Sequence, residues 1–227
     1  LYGDLLSANI YRIKKGDSSI TLEDFYQEDC PTVTIPLDVR KTPSQNAQAY
    51  YTEYKKSITA IEKLTEQISK AKEELQYIDS VFDALTRAET ENEVIQLRLE
   101  LAEQGYIKSN RLKSKPPKEL PPIEFKSTDG YTILVGRNNK QNDRLTTKIA
   151  EKLDVWVHVH NITGSHVVVQ TNGTTPPDST IEDACILAVH HSKAKNSAQV
   201  PVDYCLAKYV KKPNGSKPGM VIFTHNK

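Results

Sequence analysis

The residues able to do chemistry cluster between Asp129 and Val169, in DGYTILVGRNNKQNDRLTTKIAEKLDVWVHVHNITGSHVVV. Gly164-Ser165-His166 sets a hydroxyl beside an imidazole, the pair a nucleophilic hydrolase needs. Neighbours on a strand point to opposite faces, so these two side chains do not meet along it, and a tight turn is the simpler reading. His158 and His160 share a strand face with Trp156, and His190-His191 closes a helix, which makes zinc ligation geometrically feasible. No third and fourth ligand stands at recognisable spacing, and half-buried histidines with a helix-end pair complementing the dipole explain the same residues. Neither a P-loop nor a dinucleotide fingerprint occurs. Gly136-Arg137-Asn138-Asn139 follows a strand and either offers backbone N–H groups to phosphate or simply turns the chain. The expectation is a nonenzymatic chain that needs neither cofactor nor metal.

RNA recognition would use the same stretch differently. Asn138, Asn139, Gln141 and Asn142 present donors and acceptors for base edges or riboses. Arg137 and Arg144 supply phosphate contacts, and Trp156, His158 and His160 supply stacking surfaces. Further along, Lys193, Lys195, Lys208, Lys211, Lys212 and Lys217 place charge near Pro- and Gly-bearing turns. The charge balance agrees: residues 1–108 carry 13 Lys/Arg against 19 Asp/Glu, net −6, and residues 109–227 carry 17 against 10, net +7. A basic half beside an acidic one fits a polyanion partner, although it also fits plain solubility. Three cysteines, Cys30, Cys185 and Cys205, are odd in number and lack metal spacing, as in a reduced cytoplasmic protein. No apolar run approaches the ~20 residues that a bilayer requires, so no membrane partner is expected.

The elements that must position these residues fall into two parts. Leu1–Arg12 reads as the end of a helix, and the start at Leu1 without methionine suggests a fragment. Residues 19–26 and 32–37 form a small hairpin. Thr42-Pro43 then opens a helix reaching about Arg87, on which Ile61, Leu64, Ile68, Ala71, Leu75, Ile78, Phe82 and Leu85 alternate three and four apart. That heptad seam, on a rod of roughly 60 Å, requires a partner. A second helix begins at the capping box Thr90-x-x-Glu93, with Val94, Leu97 and Leu101 to cover part of the rod. The remainder is left for the helix ending at Arg12 or for another copy, so self-association is expected.

Ser109–Pro122, with four prolines and four basic residues, reads as a linker. Beyond it, residues 131–135, 155–160, 167–171, 200–210 and 220–224 read as strands. Helices are placed within 142–152 and, capped by Ser179-x-x-Glu182, from 180 to 193. The fold class is α+β: a long helical coiled-coil arm with a small hairpin (1–108), the linker (109–122), and a mixed α/β domain with a largely antiparallel sheet (123–227).

The same run, followed by HHSKAKNSAQVPVDY and YVKKPNGSKPGMVIF, resembles the RNA-binding NFACT-R domain of the NFACT family, called RqcH-type or fibronectin-binding-protein-A-like in Gram-positive bacteria. LYGDLLSANIYRIKKG, TIPLDVRKTPSQNAQAYYTEYKK and LRLELAEQGYIK resemble the family's coiled-coil middle domain. The resemblance spans essentially the whole chain and departs from the family pattern at His160 and Cys205. It implies ribosome-associated quality control: binding to obstructed large ribosomal subunits, recruitment of tRNA, and alanine tailing of stalled chains by the full protein. The amino-terminal domain that selects tRNA is not in this sequence, so elongation by it alone is not expected. The RNA-contact set then expected is Arg137, Asn138, Asn139, Gln141, Asn142, Arg144, His158, Ser165, His166, Lys193, Lys211, Lys212 and Lys217. Some family members are described as adhesins, which leaves fibronectin as an alternative partner and the cell surface as an alternative location.

Overall fold

The computed structural model describes residues 1–108 and 119–227; most of the expected linker, residues 109–118, lies outside the described residues. Two compact units divide at Ala71/Lys72, inside a single 45-residue helix.

In the first unit, helix α1 (Tyr2–Ala8) precedes a hairpin of β1 (Ser19–Glu23) and β2 (Thr32–Pro36), antiparallel in the register Ile20↔Ile35. Leu5, Leu6, Ile13, Leu22 and Ile35 bury together with Ala47 from the first turns of α2 (Pro43–Arg87). The α2 N-terminus is capped reciprocally, the Gln45 N–H donating to Thr42 Oγ1 and the Thr42 N–H to Gln45 Oε1. Helix α1 therefore packs on the hairpin and the start of α2. It does not lie along the heptad seam as the sequence suggested, because its apolar face, Leu5 and Leu6, is only one turn long. Along the seam in this unit, Ile61, Leu64 and Ile68 are all more than half exposed.

The second unit contains the end of α2, α3 (Glu91–Glu103) and an antiparallel five-stranded sheet. The capping box at Thr90 and Glu93 forms as read from the sequence. The face that α3 covers is a different one. Leu97 and Leu101 pack on Tyr77, Val81 and Ala84, whereas Leu75, Phe82 and Leu85 of the seam remain exposed. At ~100° per residue the buried stripe lies about a quarter turn or more from the seam, so burying one leaves the other outside.

The sheet order is β3 (Ile123–Lys126), β4 (Thr132–Val135), β6 (Val167–Gln170), β5 (Val155–Val159), β7 (Val202–Leu206). Alternation sorts its faces. Ile133, Val135, Val155, Val157, Val167 and Val169 pack against Ala184 and Ala188 of α5 (Asp178–His190). Leu134, Trp156, Val168 and Cys205 form the opposite core with Leu145, Val221 and Phe223. The latter two belong to the segment that ends in a small ribbon of β8 (Val210–Lys211) and β9 (Ile222–Phe223).

Three local readings change. Strand β3 was not expected; its four residues alternate apolar and polar, but the run is short and directly follows the proline-rich stretch. The helix expected within 142–152 is α4 (Asn139–Arg144), which runs into one π turn over Leu145–Ile149, closed by the Ala150 N–H on the Leu145 carbonyl at 2.9 Å. The Ser179 cap does not form. Helix α5 starts two residues earlier, at Asp178, and Ser179 and Thr180 donate to Asp129 at 2.7 and 2.8 Å.

Candidate functional site

The amide loop after β4 is where the sequence concentrates polar chemistry, and the structure turns most of it inward. Asn138, Asn139, Gln141 and Asn142 are each at most 6% exposed. Asn138 caps α4, its Oδ1 accepting from the Gln141 N–H at 2.8 Å. Gln141 answers through Oε1, which takes the Arg137 N–H at 2.7 Å, and its Nε2 donates to the Leu120 carbonyl at 2.8 Å. Asn142 Oδ1 accepts the His166 N–H at 3.1 Å. Gly136 is required beside it, because a Cβ there would lie 2.0 Å from that oxygen.

The loop's remaining groups grip the helical arm. Asn139 Nδ2 donates to Ser80 Oγ at 2.7 Å and to Glu100 Oε1 at 3.2 Å, and the Lys140 N–H reaches Glu100 Oε2 at 3.3 Å. Tyr77 donates its hydroxyl to the same carboxylate at 2.9 Å. Glu100 is 1% exposed, and burial raises its pKa against the lowering effect of the Tyr77, Asn139 and Lys140 donors. Arg137 pairs with Glu93 at 2.6 Å and donates Nε to the Pro121 carbonyl. Burial also acts against the Glu93 charge, yet the Glu89 backbone, Arg137 and Thr90 donors hold its pKa below the ordinary range. Arg144 pairs with Glu119, and Asp143 holds both Lys212 and the Gly219 N–H.

Ser165 and His166 do not form a nucleophile and base. Ser165 Oγ donates to the Gly136 carbonyl at 2.6 Å and accepts from Arg87 at 3.2 Å. His166 Nδ1 meets Thr146 Oγ1 at 2.7 Å, and burial pushes its pKa down to about 3. His158 stacks on Trp156, with ring centroids 5.7 Å apart and planes at 15°, and burial lowers its pKa too. Both imidazoles are neutral at pH 7. Among the described residues no group of three or more His, Cys, Asp and Glu side chains is placed to hold a metal.

The lysines divide. Lys193 bonds Asp79 of α2 at 2.6 and 2.8 Å, Lys212 is paired, and Lys217 stands over the Tyr106 and Tyr77 rings at 4.9 and 5.4 Å. Lys195, Lys208 and Lys211 are exposed, and among the described residues none of them forms an ion pair. Lys208 Nζ lies 4.9 Å from the Tyr209 ring, which stacks with His225 at 4.3 Å. Sequence reasoning missed this aromatic pair, and it missed the arm's half of the joint: Tyr77, Asp79, Ser80, Glu93 and Glu100. Glu100 did carry a signal, since it follows Leu97 by three positions and so sits on the buried stripe of α3, where an ionisable residue is unusual.

The class these features define is a helical arm whose end is locked by a polar joint onto an antiparallel-sheet module that also carries exposed cations. Residues 1–120 match the model of the NFACT N-terminal and middle domains, and residues 122–225 that of the NFACT protein RNA binding domain; the chain belongs to the NFACT family. It is 45% identical over 226 residues to the Rqc2 homolog RqcH of Bacillus subtilis (strain 168), covering 98% of this chain and 39% of that relative. The Streptococcus suis (strain 05ZYH33) Rqc2 homolog RqcH is 41% identical, over 99% of this chain and 40% of its own length. Among solved structures, the C-terminal part of the fibronectin/fibrinogen-binding protein from Streptococcus suis superposes with a TM-score of 0.76 at 42% identity, covering 82% of this chain and 74% of that one. The chain thus spans well under half of the curated relatives it matches. Among the described residues no helix is long and apolar enough to cross a membrane.

Proposed function

We propose that this chain is the RNA-binding arm of a ribosome-associated quality control factor, acting on large ribosomal subunits or their tRNA in the cytoplasm. The observation that carries the reading is the match of residues 122–225 to an RNA-binding domain in the half of the chain that is net +7. Its chemistry is nonenzymatic. Lys195, Lys208 and Lys211, with Arg144 and Lys193 nearer the joint, supply phosphate contacts, and the Tyr209–His225 pair offers a stacking face. Arg137, Asn138, Asn139, Gln141, Asn142, Ser165 and His166 act one step back, as the frame that fixes the arm to the module. Within a longer protein of this family the arm would support alanine tailing of stalled chains. Filter binding to ribosomal RNA and to tRNA tests the reading: log affinity should fall linearly with log salt. Affinity indifferent to salt would abandon it.

The exposed seam supports a companion proposal, that α2 pairs as a coiled coil and that isolated copies of this chain associate through Ile61, Leu64, Ile68, Leu75, Phe82 and Leu85. A clean monomer in sedimentation at high concentration would remove it. A second reading is favoured by one observation, the 42% identity to a protein named for fibronectin and fibrinogen binding. It requires saturable fibronectin binding that survives nuclease treatment.

A further inference from the structure

The arm meets the module at one end of the five-stranded sheet. The loop after β4, Thr163 after β5, Ser165 before β6 and Lys193 after α5 all lie there, bonded to Ser80, Asp79 and Arg87 of α2. The opposite end, where β5 and α5 begin and β6 and β7 finish, holds a cavity of about 470 Å³. That volume falls within the roughly 300–1,000 Å³ of small-ligand pockets. Its walls reach solvent: Leu153 is 50% exposed, His225 is exposed, and Tyr204, Leu206 and Tyr209 are partly so.

The lining sorts by chemistry. Leu153, Tyr204 and Leu206 make an apolar wall, and beside it the rings of Tyr209 and His225 stack with planes at 22°. Asp178 is the one carboxylate side chain on the lining, and among the described residues it forms no ion pair. Cations stand at the rim. The Lys208 N–H donates to the Lys152 carbonyl at 3.3 Å, which sets side by side two residues that adjoin Tyr209 and Leu153 in the chain. Lys152, Lys208 and the lining residue Lys227 are exposed, and among the described residues none is in an ion pair. Glu151 and Glu182 follow nearby in sequence but lie outside the lining.

Such a space is selective. An aliphatic chain would cover the apolar wall and leave Asp178 and the lysines unanswered. A bare phosphate would meet Asp178 and make no use of the rings. A nucleobase offers a flat face to the leucines and aromatic rings and amino donors on its edge to a carboxylate, while its phosphates extend to the lysines.

We propose that this cavity receives one unstacked base of a bound single-stranded RNA, packed against Leu153 and the Tyr209–His225 pair, with Asp178 accepting from the base's amino group and Lys152 and Lys208 holding the adjoining phosphates. The inference rests on the RNA-binding reading above and deepens it, giving that reading a discrete base site at the end of the sheet away from the joint. Lys152, Leu153 and Asp178 were all absent from the contact set read from the sequence.

The test titrates the nitrogen-15-labelled chain with a short oligoadenylate and, separately, with an abasic oligonucleotide of equal length and charge, while anisotropy of dye-labelled strands reports affinity. The expected result is tighter binding of the oligoadenylate, with saturable amide shifts at Gly173 and His225 of the lining that the abasic strand does not produce. His225→Asn removes the exposed ring and keeps a residue type that tolerates the φ of 59° at that position. It should weaken oligoadenylate about tenfold, the size of one lost base–aromatic contact, and leave the abasic strand unchanged. Asp178→Ala separates base contact from charge, because deleting a carboxylate favours any polyanion. Oligoadenylate should nevertheless bind about fivefold more weakly, the size of one lost hydrogen bond. If both strands bind alike with salt-sensitive affinity, or both variants leave oligoadenylate unchanged, the base site is overturned and RNA binding by charge stands. Shifts at Gly173 and His225 that follow the chain's own concentration instead of RNA would place a second copy on the cavity and overturn the site as well. If neither strand binds, the RNA reading and the base site fall together.

Discussion

Two segments of the basic half both carry cations and fold into opposite circumstances. The loop Gly136–Arg144 holds amides and charges that face inward, bonded to Ser80, Glu93, Glu100, Glu119 and His166. The stretch Lys208–Lys211 holds exposed cations that meet no carboxylate among the described residues. What separates them is the neighbour each meets. The loop lies against the acidic end of the arm, where Arg137, Asn139 and Lys140 find the carboxylates of Glu93, Glu100 and Glu103, whereas Lys208 and Lys211 border solvent. A dense polar cluster is therefore evidence of an interface, and whether its partner is RNA or the protein's own helix depends on which acids lie within reach.

The contrast predicts large losses of stability for inward residues. Glu100→Ala would strand the Tyr77 hydroxyl, the Asn139 amide and the Lys140 N–H at once. Unfolding in urea should show a loss of about 3 kcal/mol. Glu100→Gln, which keeps an acceptor, should cost clearly less. Gly136→Ala should follow at about 2 kcal/mol, since the new Cβ must displace the Asn142 oxygen that holds the His166 N–H. A neutral result at Glu100 would mean that the loop is not what fastens the arm's end.

Much of this fold is legible in the sequence because it is written locally. The heptad of α2, the Thr90–Glu93 capping box and the alternation in Val155–Val159 each specify an element within a few residues. The joint is not legible, since its bonds connect residues 37 to 114 positions apart, as in Lys140–Glu103 and Lys193–Asp79. Seam and stripe on α2 show the same limit: both are apolar, and only the position of α3 decides that Val81 is inside and Phe82 outside. At the site, the spacing of Ser165 and His166 was enough to dismiss a catalytic pair, and it held no information that Arg87, 78 residues earlier, would donate to that serine.

Acid should reveal the inward cluster before it affects the outward one. His166 titrates near 3 in the folded chain and near 6.5 when unfolded, so below pH 6.5 the unfolded state binds the extra proton. Its share of stability is complete above pH 6.5 and declines as pH falls toward about 3, by at most about 1.4 kcal/mol per pH unit. His191, held down to about 4 by burial and the nearby Arg87, acts with the same sign over a narrower window. Glu100 opposes them, because its raised pKa lets the folded state take a proton first as the solution becomes acidic. Thermal melts of the wild type and of Glu100→Gln from pH 7 to pH 4.5 separate the two signs: the variant should lose stability more steeply on acidification.

The smallest effect on stability is expected where the effect on function is largest. Lys208→Ala with Lys211→Ala removes two exposed ammonium groups that hold no carboxylate among the described residues, so melting should stay within about 0.5 kcal/mol of wild type. Each phosphate contact contributes about one to the slope of log affinity against log salt, so the double variant should bind RNA more weakly with a slope shallower by roughly two. Arg137→Ala should behave oppositely. Its guanidinium is only about a quarter exposed and holds Glu93 and the Pro121 carbonyl, so its removal should weaken the fold while leaving the salt slope near wild type. Should Arg137→Ala instead flatten the slope and the lysine pair leave it unchanged, the inward loop would open to RNA and the division between the two segments would have to be redrawn.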